Sequence, residues 1–409
     1  MLVKRSSAVV SVPLALMLTA FYVSSSYVNT GIDGYWETVS IRATSALLLI
    51  APITSAASAW EVVRLRRGGA LSYPGVRSRI RIVFRSLVPV LFGSVICLAA
   101  GWVLLGSELR DSGGAPDYRI FLMGVAVLVG WSSIGAIAGL LLPFVIAAPA
   151  CLITGYVALA YPPSMNPIWA RHLTGVNSSC CLNTDRVATA AIAAPGVLAG
   201  GALAAATALL VLRSRLVASA SALCAMVVAL QVGVHLVRPF GPDPVDARPA
   251  TELVCVSGAV KVCVWPEHKS QLPVAEDAAN RIRQVASAAI DVPELASEGT
   301  AAWQFGLNQD SSPAGVLESL VIGLFPQEPP AACEGRPWLS GPAVPLLEAW
   351  TEARVGVSDD ELTGLHSPEL LTTLAGIRRM TAPRQFTLMR RLQTAALRCS
   401  ALPVHPGPR

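Results

Sequence analysis

Charge is scarce in this chain of 409 residues: Asp, Glu, Lys and Arg together make up 14%, where a soluble globular protein carries roughly 25%. The shortage is local. Residues 1–239 contain only seven acidic groups (Asp33, Glu37, Glu61, Glu108, Asp111, Asp117 and Asp185), and the other nineteen lie in residues 240–409. A segment so poor in charge is solvated by something other than water, so the chain is read as two domains, 1–239 in a membrane and 240–409 in water. Net charge divides the same way. The first region has seventeen basic and seven acidic residues, a net of +10; the second has fourteen and nineteen, a net of −5. The overall +5 is therefore no sign of nucleic-acid binding. Lysine is nearly missing, three residues against twenty-eight arginines, a bias of coding composition rather than of mechanism. Signature motifs are missing too. There is no GxxxxGK[ST] nucleotide loop, no HExxH, no GxSxG and no paired CxxC, so neither an enzyme nor a cofactor or metal site is expected from pattern.

What is abundant is apolar sequence in long runs, with a mean hydropathy of +0.55. A helix needs about 20 mostly apolar residues to cross the hydrocarbon core. Seven stretches qualify: about 8–28, 43–63, 86–106, 120–140, 143–161, 188–212 and 216–237. The first follows Lys4 and Arg5 and has the outline of a signal peptide. It lacks a clear A-x-A cleavage site and is read as an uncleaved span. The run 120–161 would be about 63 Å long as one helix, twice the hydrocarbon thickness, so a fold-back near Leu142 and Pro143 is predicted. The expected fold class is a polytopic α-helical membrane protein of about seven spans with a C-terminal, helix-rich α+β extracytoplasmic domain.

Orientation follows from basic residues in short loops. Lys4 and Arg5 precede span one, seven arginines from Arg64 to Arg85 separate spans two and three, and Arg213 and Arg215 separate spans six and seven. An even number of spans must lie between the last two groups for both to face the cytoplasm, and the fold-back supplies it. The N-terminus is then cytoplasmic and the C-terminal domain extracytoplasmic.

The span centres lack the Asp, Glu, His or Arg that proton or ion coupling uses. Glu61 sits at a span end, and His235, near the outer end of span seven, reads as a packed histidine. Gly135 and Gly139, and Gly196 and Gly200, have the GxxxG spacing that lets helices approach closely in lipid. Pro13, Pro52, Pro89 and Pro195 fall inside spans. After Pro74, arginines Arg77, Arg79, Arg81 and Arg85 alternate with apolar residues. That segment reads either as a plain positive-inside anchor or as a short amphipathic surface helix that docks a cytoplasmic partner.

Of nine cysteines, Cys97, Cys151 and Cys224 fall within spans, and six lie outside, where disulfides form. VCVSGAVKVCV around Cys255 and Cys263 reads as two short strands with a turn at Ser257, Gly258 and Ala259, which sets the two cysteines face to face. Cys333 with Cys399 is the next most economical pair. Cys180 and Cys181 either bond to each other or bridge to the outer domain. Helices are expected over 274–290, 313–324, 341–355, from Ser367-Pro368, and over 383–399. Trp265-Pro266-Glu267-His268 reads as a recognition or structural element, with Trp265 packed and Glu267 and His268 exposed. NSS at Asn177 matches a glycosylation sequon to which no role is given.

The outer loop RHLTGVNSSCCLNTDRV, residues 171–187, together with CVSGAVKVCVWPEH, residues 255–268, resembles a group of multi-pass membrane proteins of high-GC Gram-positive bacteria described as ABC-type transporter permease-like, with a C-terminal extracytoplasmic domain of unknown function. The resemblance covers more than half of the chain. It implies a membrane subunit of an export system, working with a separate cytoplasmic ABC ATPase docked near Arg77 to Arg85. It also implies two permease halves, as a homodimer or with a second permease subunit. Export permeases of this type have six spans, and the seventh span and outer domain depart from that pattern. The alternative is a non-transporting membrane protein that presents its disulfide-braced outer domain for binding, sensing or assembly.

Overall fold

The computed structural model describes residues 6–24, 34–71, 78–106, 109, 115–176, 180–308, 311–334 and 337–399. Arg77 and Asn177 lie outside them. The chain divides into two compact units, Met1–Ala247 and Arg248–Arg409.

In the first unit, α1 (Ala8–Val23) is followed by α2 (Trp36–Ala43), a 3-10 turn (Thr44–Ala46) and α3 (Leu47–Arg67). Then come α4 (Arg79–Gly106), α5 (Tyr118–Leu141), α6 (Phe144–Ala160), α7 (Thr189–Val211) and α8 (Arg215–Val237). Strands β1 (Asp185–Val187) and β2 (Val245–Ala247) pair antiparallel. Among the described residues six helical stretches are long and apolar enough to cross a membrane: Trp36–Arg67, Arg79–Gly106, Tyr118–Leu141, Phe144–Ser164, Thr189–Val211 and Arg215–Val237. The first expected span appears as α1, apolar but only 16 residues long. The fold-back at Leu142 and Pro143 is where the chain turns between α5 and α6. Arg66 caps that turn, its guanidinium donating at 2.6 Å to the carbonyls of Leu140 and of Leu142. These are helix-end carbonyls that have no partner within α5. Arg67 lies over the Phe144 ring at 4.2 Å, and Trp60 meets the same ring at 4.8 Å.

α3 is the hub, packed against α1, α4, α5 and α6. The close approach of α5 comes from its glycines. A Cβ on Gly135 would stand 2.1 Å from the Ser55 carbonyl oxygen, and one on Gly139 2.7 Å from that of Ala59. Ser58 and Ser132 hydroxyls bond at 2.8 Å across the same contact, and Thr54 and Ser94 at 2.6 Å across α3 and α4. This first GxxxG pair is thus used inside one chain. Gly196 and Gly200 have no atom within 4 Å of a Cβ position. Pro13, Pro52, Pro89 and Pro195 all lie inside helices, as does Pro149.

Two buried carboxylates anchor the ends of the Trp36–Arg67 stretch. Glu61 accepts from the Ser7 backbone N–H at 2.6 Å, at the start of α1, and from the hydroxyls of Ser6 and Ser86, with Arg64 at 2.6 Å. A carboxylate at a helix N-terminus satisfies orphan donors and the helix dipole together. Glu37 accepts from the Val187 N–H at 2.6 Å and the Tyr35 hydroxyl at 2.9 Å, tying β1 to α2.

The expected separate amphipathic helix after Pro74 needs correction. Arg79, Arg81 and Arg85 belong to the first two turns of α4 itself, which runs unbroken for 28 residues. At 1.5 Å per residue that is about 42 Å, longer than the roughly 30 Å hydrocarbon core. The excess carries the exposed arginines beyond it.

The second unit contains a four-stranded sheet in the order β3 (Val254–Ser257), β4 (Lys261–Val264), β5 (Leu295–Ser297) and β6 (Trp303–Gln304). β3 and β4 are antiparallel, and β4, β5 and β6 run parallel. Helix α9 (Leu272–Ala286) crosses from β4 to β5. It buries Ala275, Ala278, Ala279, Ile282 and Ala286, the i, i+3, i+4 stripe of an amphipathic helix. α10 (Pro313–Gly323), α11 (Val344–Val355), α12 (Asp359–Leu365), α13 (Pro368–Arg378) and α14 (Ala382–Arg398) complete the core. Cys255 and Cys263 are directly opposed in the hairpin register and disulfide-bonded, with Cα atoms 4.1 Å apart. That spacing belongs to a non-hydrogen-bonded cross-strand pair. Cys333 is bonded to Cys399, which ties the C-terminus of α14 across a loop of 66 residues. Such a closure restrains the unfolded chain more than the eight-residue hairpin does. Cys180 and Cys181 are bonded to each other, not to the second unit.

Candidate ligand-binding cleft of the second unit

A cavity of the second unit, about 860 Å3, opens between α9, the N-terminus of α10, the C-terminus of α11 and α12. Each wall has a local cause. Ser312 caps α10 by accepting from the Gly315 N–H, and Pro313 takes the first helical position. Gly356 ends α11 at a φ of 100°, a left-handed C-cap that glycine adopts without strain. Ser358 and Glu361 form a reciprocal capping box that starts α12.

The lining is apolar at Val274, Ala278, Leu317, Val355, Val357 and Leu365, and it carries Asp277, Glu318, Glu352 and Glu361 with Arg281 as the one guanidinium. Arg281 is engaged by Asp277 one turn earlier on α9. Glu352, nearly fully buried, accepts from His366 Nε2 at 2.6 Å. Behind it, burial pushes the Glu348 carboxyl above its ordinary value. The Gln327 amide pulls it down, the neighbouring Glu352 charge pushes it further up, and His366 opposes. The arrangement is a concave apolar surface with an excess of carboxylate, suited to hold a ligand that is cationic and part apolar. Among the described residues no group of three His, Cys, Asp or Glu side chains could hold a metal ion.

Glu361 carries a pH dependence of definite sign. Its backbone and side-chain hydrogen bonds from Ser358 hold its carboxyl below the ordinary 4.5. A carboxyl lowered by folding contributes stability above its unfolded value, and the contribution disappears as pH falls through the folded value. Glu361→Gln is therefore expected to flatten the fall in thermal midpoint of the second unit on acidification below about pH 4.5. The wild-type chain should keep the fall. Equal acid slopes in the two proteins would contradict the capping role.

Trp265, Glu267 and His268 are corrected from the sequence expectation in one respect. Glu267 and His268 are not exposed. The Glu267 side chain is 6% exposed and grips the Arg248 guanidinium with both oxygens, at 3.1 and 3.2 Å, while Arg248 lies over the Trp265 ring at 4.3 Å. His268 is buried with Nδ1 2.8 Å from Glu298. Glu298 also accepts from the backbone N–H of Trp265 at 2.8 Å and of Leu307 at 3.0 Å. The reason is topological: β5 runs parallel to β4 and delivers Glu298 just past its end, under the WPEH turn. The six non-span cysteines are brought together in pairs. Arg79, Arg81 and Arg85 lie on α4 of the first unit. Sequence reading missed the cleft, Glu298 and Arg248. Of these only the Ser358-x-x-Glu361 capping box left a recognisable pattern.

No curated protein and no solved structure matches the chain. Residues 262–399, from β4 to the end of α14, match a family model described as a domain of unknown function, DUF7224.

Proposed function

We propose that the chain is a membrane-anchored binding protein, with seven spans counting α1 and the second unit held on the extracytoplasmic side. It is not an enzyme in this reading. The cleft of the second unit takes a cationic ligand with an apolar segment, the chemistry of a basic amphipathic peptide. The observation that carries this reading is the cleft's largely apolar lining with four carboxylates against one arginine, Asp277 paired with that arginine, Glu352 held by His366, and Glu318 and Glu361 without a basic partner among the described residues. The basic ends of α3 and α4 support a cytoplasmic N-terminus through the positive-inside rule, and the disulfides of the second unit fit an oxidising compartment.

The test is titration of the full-length protein, in detergent, with a labelled peptide of alternating Leu and Lys, against its Leu and Glu counterpart. Saturable binding of the basic peptide only, weakened about ten-fold or more by Glu318→Lys, supports the reading. Equal binding of both peptides, or indifference to Glu318→Lys, ends it.

A second reading is a permease-like export subunit, paired with a cytoplasmic ABC ATPase and with a second copy or a second permease. It is favoured by one feature, the run of arginines that closes α3 and opens α4. Co-purification of an ATPase that is lost on neutralising Arg79, Arg81 and Arg85 would bring that reading forward.

A further inference from the structure

The first unit has its own cavity, about 460 Å3, walled by α5, α6, α7, α8 and the 3-10 turn Ile168–Leu173. Its lining is nearly all apolar, with Trp131, Leu159, Leu173, Leu198, Met226 and Leu230 as the large side chains. The one lining hydroxyl, Thr174, is turned away to the Arg171 carbonyl at 2.7 Å. Water needs two to four polar partners to stay in such a space, so hydrocarbon is the favoured occupant. The volume lies in the range of small-molecule sites. All four walling helices belong to stretches long and apolar enough to cross a membrane.

The 3-10 turn also carries a charge, on a residue that does not itself line the cavity but adjoins one that does. Arg171 follows Ala170, which lines the cavity, and its Nη2 lies 3.5 Å from the carbonyl of Pro163, next to the lining Pro162. Its Nε is buried with no hydrogen-bond partner, and no carboxylate among the described residues pairs with the guanidinium. A guanidinium with free donors beside an apolar cavity matches a phosphate attached to a hydrocarbon chain. We propose that this cavity is a lipid site: it holds one acyl chain of an anionic phospholipid, with the phosphate against Arg171.

The test uses the full chain in nanodiscs of phosphatidylcholine with a trace of phosphatidylglycerol that carries a diazirine on one acyl chain. After photolysis, labelling at Trp131, Leu198 and Met226 is compared with labelling at Phe92 and Val145, exposed apolar residues of α4 and α6 outside the cavity. The cavity residues are expected to label several-fold more than Phe92 and Val145. Unlabelled phosphatidylglycerol should compete about five-fold better than phosphatidylcholine, and Arg171→Gln should remove that preference. Ala158→Trp, at an exposed position of the lining, should abolish cavity labelling while Phe92 still labels, with a parent-like thermal midpoint reporting that the bundle is folded. Cavity labelling no higher than at Phe92 and Val145, or unchanged in Ala158→Trp, overturns the site. Equal competition by the two lipids, or a preference that survives Arg171→Gln, overturns the anionic headgroup.

Discussion

Gly135→Leu is expected to abolish the folded membrane unit, while Gly200→Leu leaves it intact. The two glycines share the same spacing motif but not the same surroundings. A Cβ at Gly135 would fall 2.1 Å from the Ser55 carbonyl oxygen, 2.9 Å from its carbon and 3.0 Å from Ser58 Cβ, whereas nothing lies within 4 Å of the position at Gly200. Overpacking costs about 1–3 kcal/mol where neighbouring side chains can yield. Here the neighbour is helix backbone, and giving way means separating α5 from the hub helix and breaking the Ser58–Ser132 hydrogen bond with it. Even Gly135→Ala should cost about 3 kcal/mol, a fall in Tm of roughly 6–12 °C for a unit of this size. The measurement is thermal stability of the detergent-solubilised protein by size-exclusion chromatography after heating. A Gly135→Leu protein that elutes and melts like the parent would mean that α5 does not pack on α3 through this face.

Glu298→Ala is the second substitution with a large expected effect. Glu298 is buried and serves three donors at once: the Trp265 N–H, the Leu307 N–H and His268 Nδ1. Removing the carboxylate leaves three buried donors without partners. Each orphan costs about 1–3 kcal/mol. Against a total stability of about 5–15 kcal/mol, this brings the second unit close to its unfolding threshold. Glu298→Gln, which keeps one acceptor oxygen in place, should lose less. Pulse proteolysis of the full-length chain across a urea series reads the difference. A midpoint for Glu298→Ala within error of the parent would show that the carboxylate does not hold the WPEH turn.

Particular residues show why some of this was legible in sequence and some was not. The spans from α3 to α8 announced themselves because lipid demands an unbroken apolar run, and a 42-residue run has to turn. The turn at Leu142 and Pro143 followed from length and from the count of basic loops. The Cys255 and Cys263 hairpin was readable because alternation has period two and the turn carries a glycine. By contrast, β5 and β6 are three and two residues long, too short for any periodicity to register. Everything that depends on them was therefore hidden, above all Glu298 beneath Trp265 and His268. Burial of Glu267 and His268 was not legible because their partners Arg248 and Glu298 lie 19 and 30 residues away. The cleft was hidden for a similar reason: its walls are helix ends whose mutual placement no local pattern encodes. The surface-helix reading of Arg79 to Arg85 failed because apolar and basic residues alternate equally well on the emerging end of a long span.

The hub position of α3 has a consequence for biosynthesis. Its partners α4, α5 and α6 are all made after it, and the contact of Ser55 and Ser58 with Ser132 and Gly135 joins residues nearly eighty positions apart. At about 5–20 residues per second, translation leaves that polar, small-residue face waiting roughly 4–15 s for its cover. During this interval α1 and α4 can pack on α3, but the hydroxyl of Ser58, whose partner is Ser132, has no helix to cover it. That face of the nascent membrane unit is thus completed only by the arrival of α5.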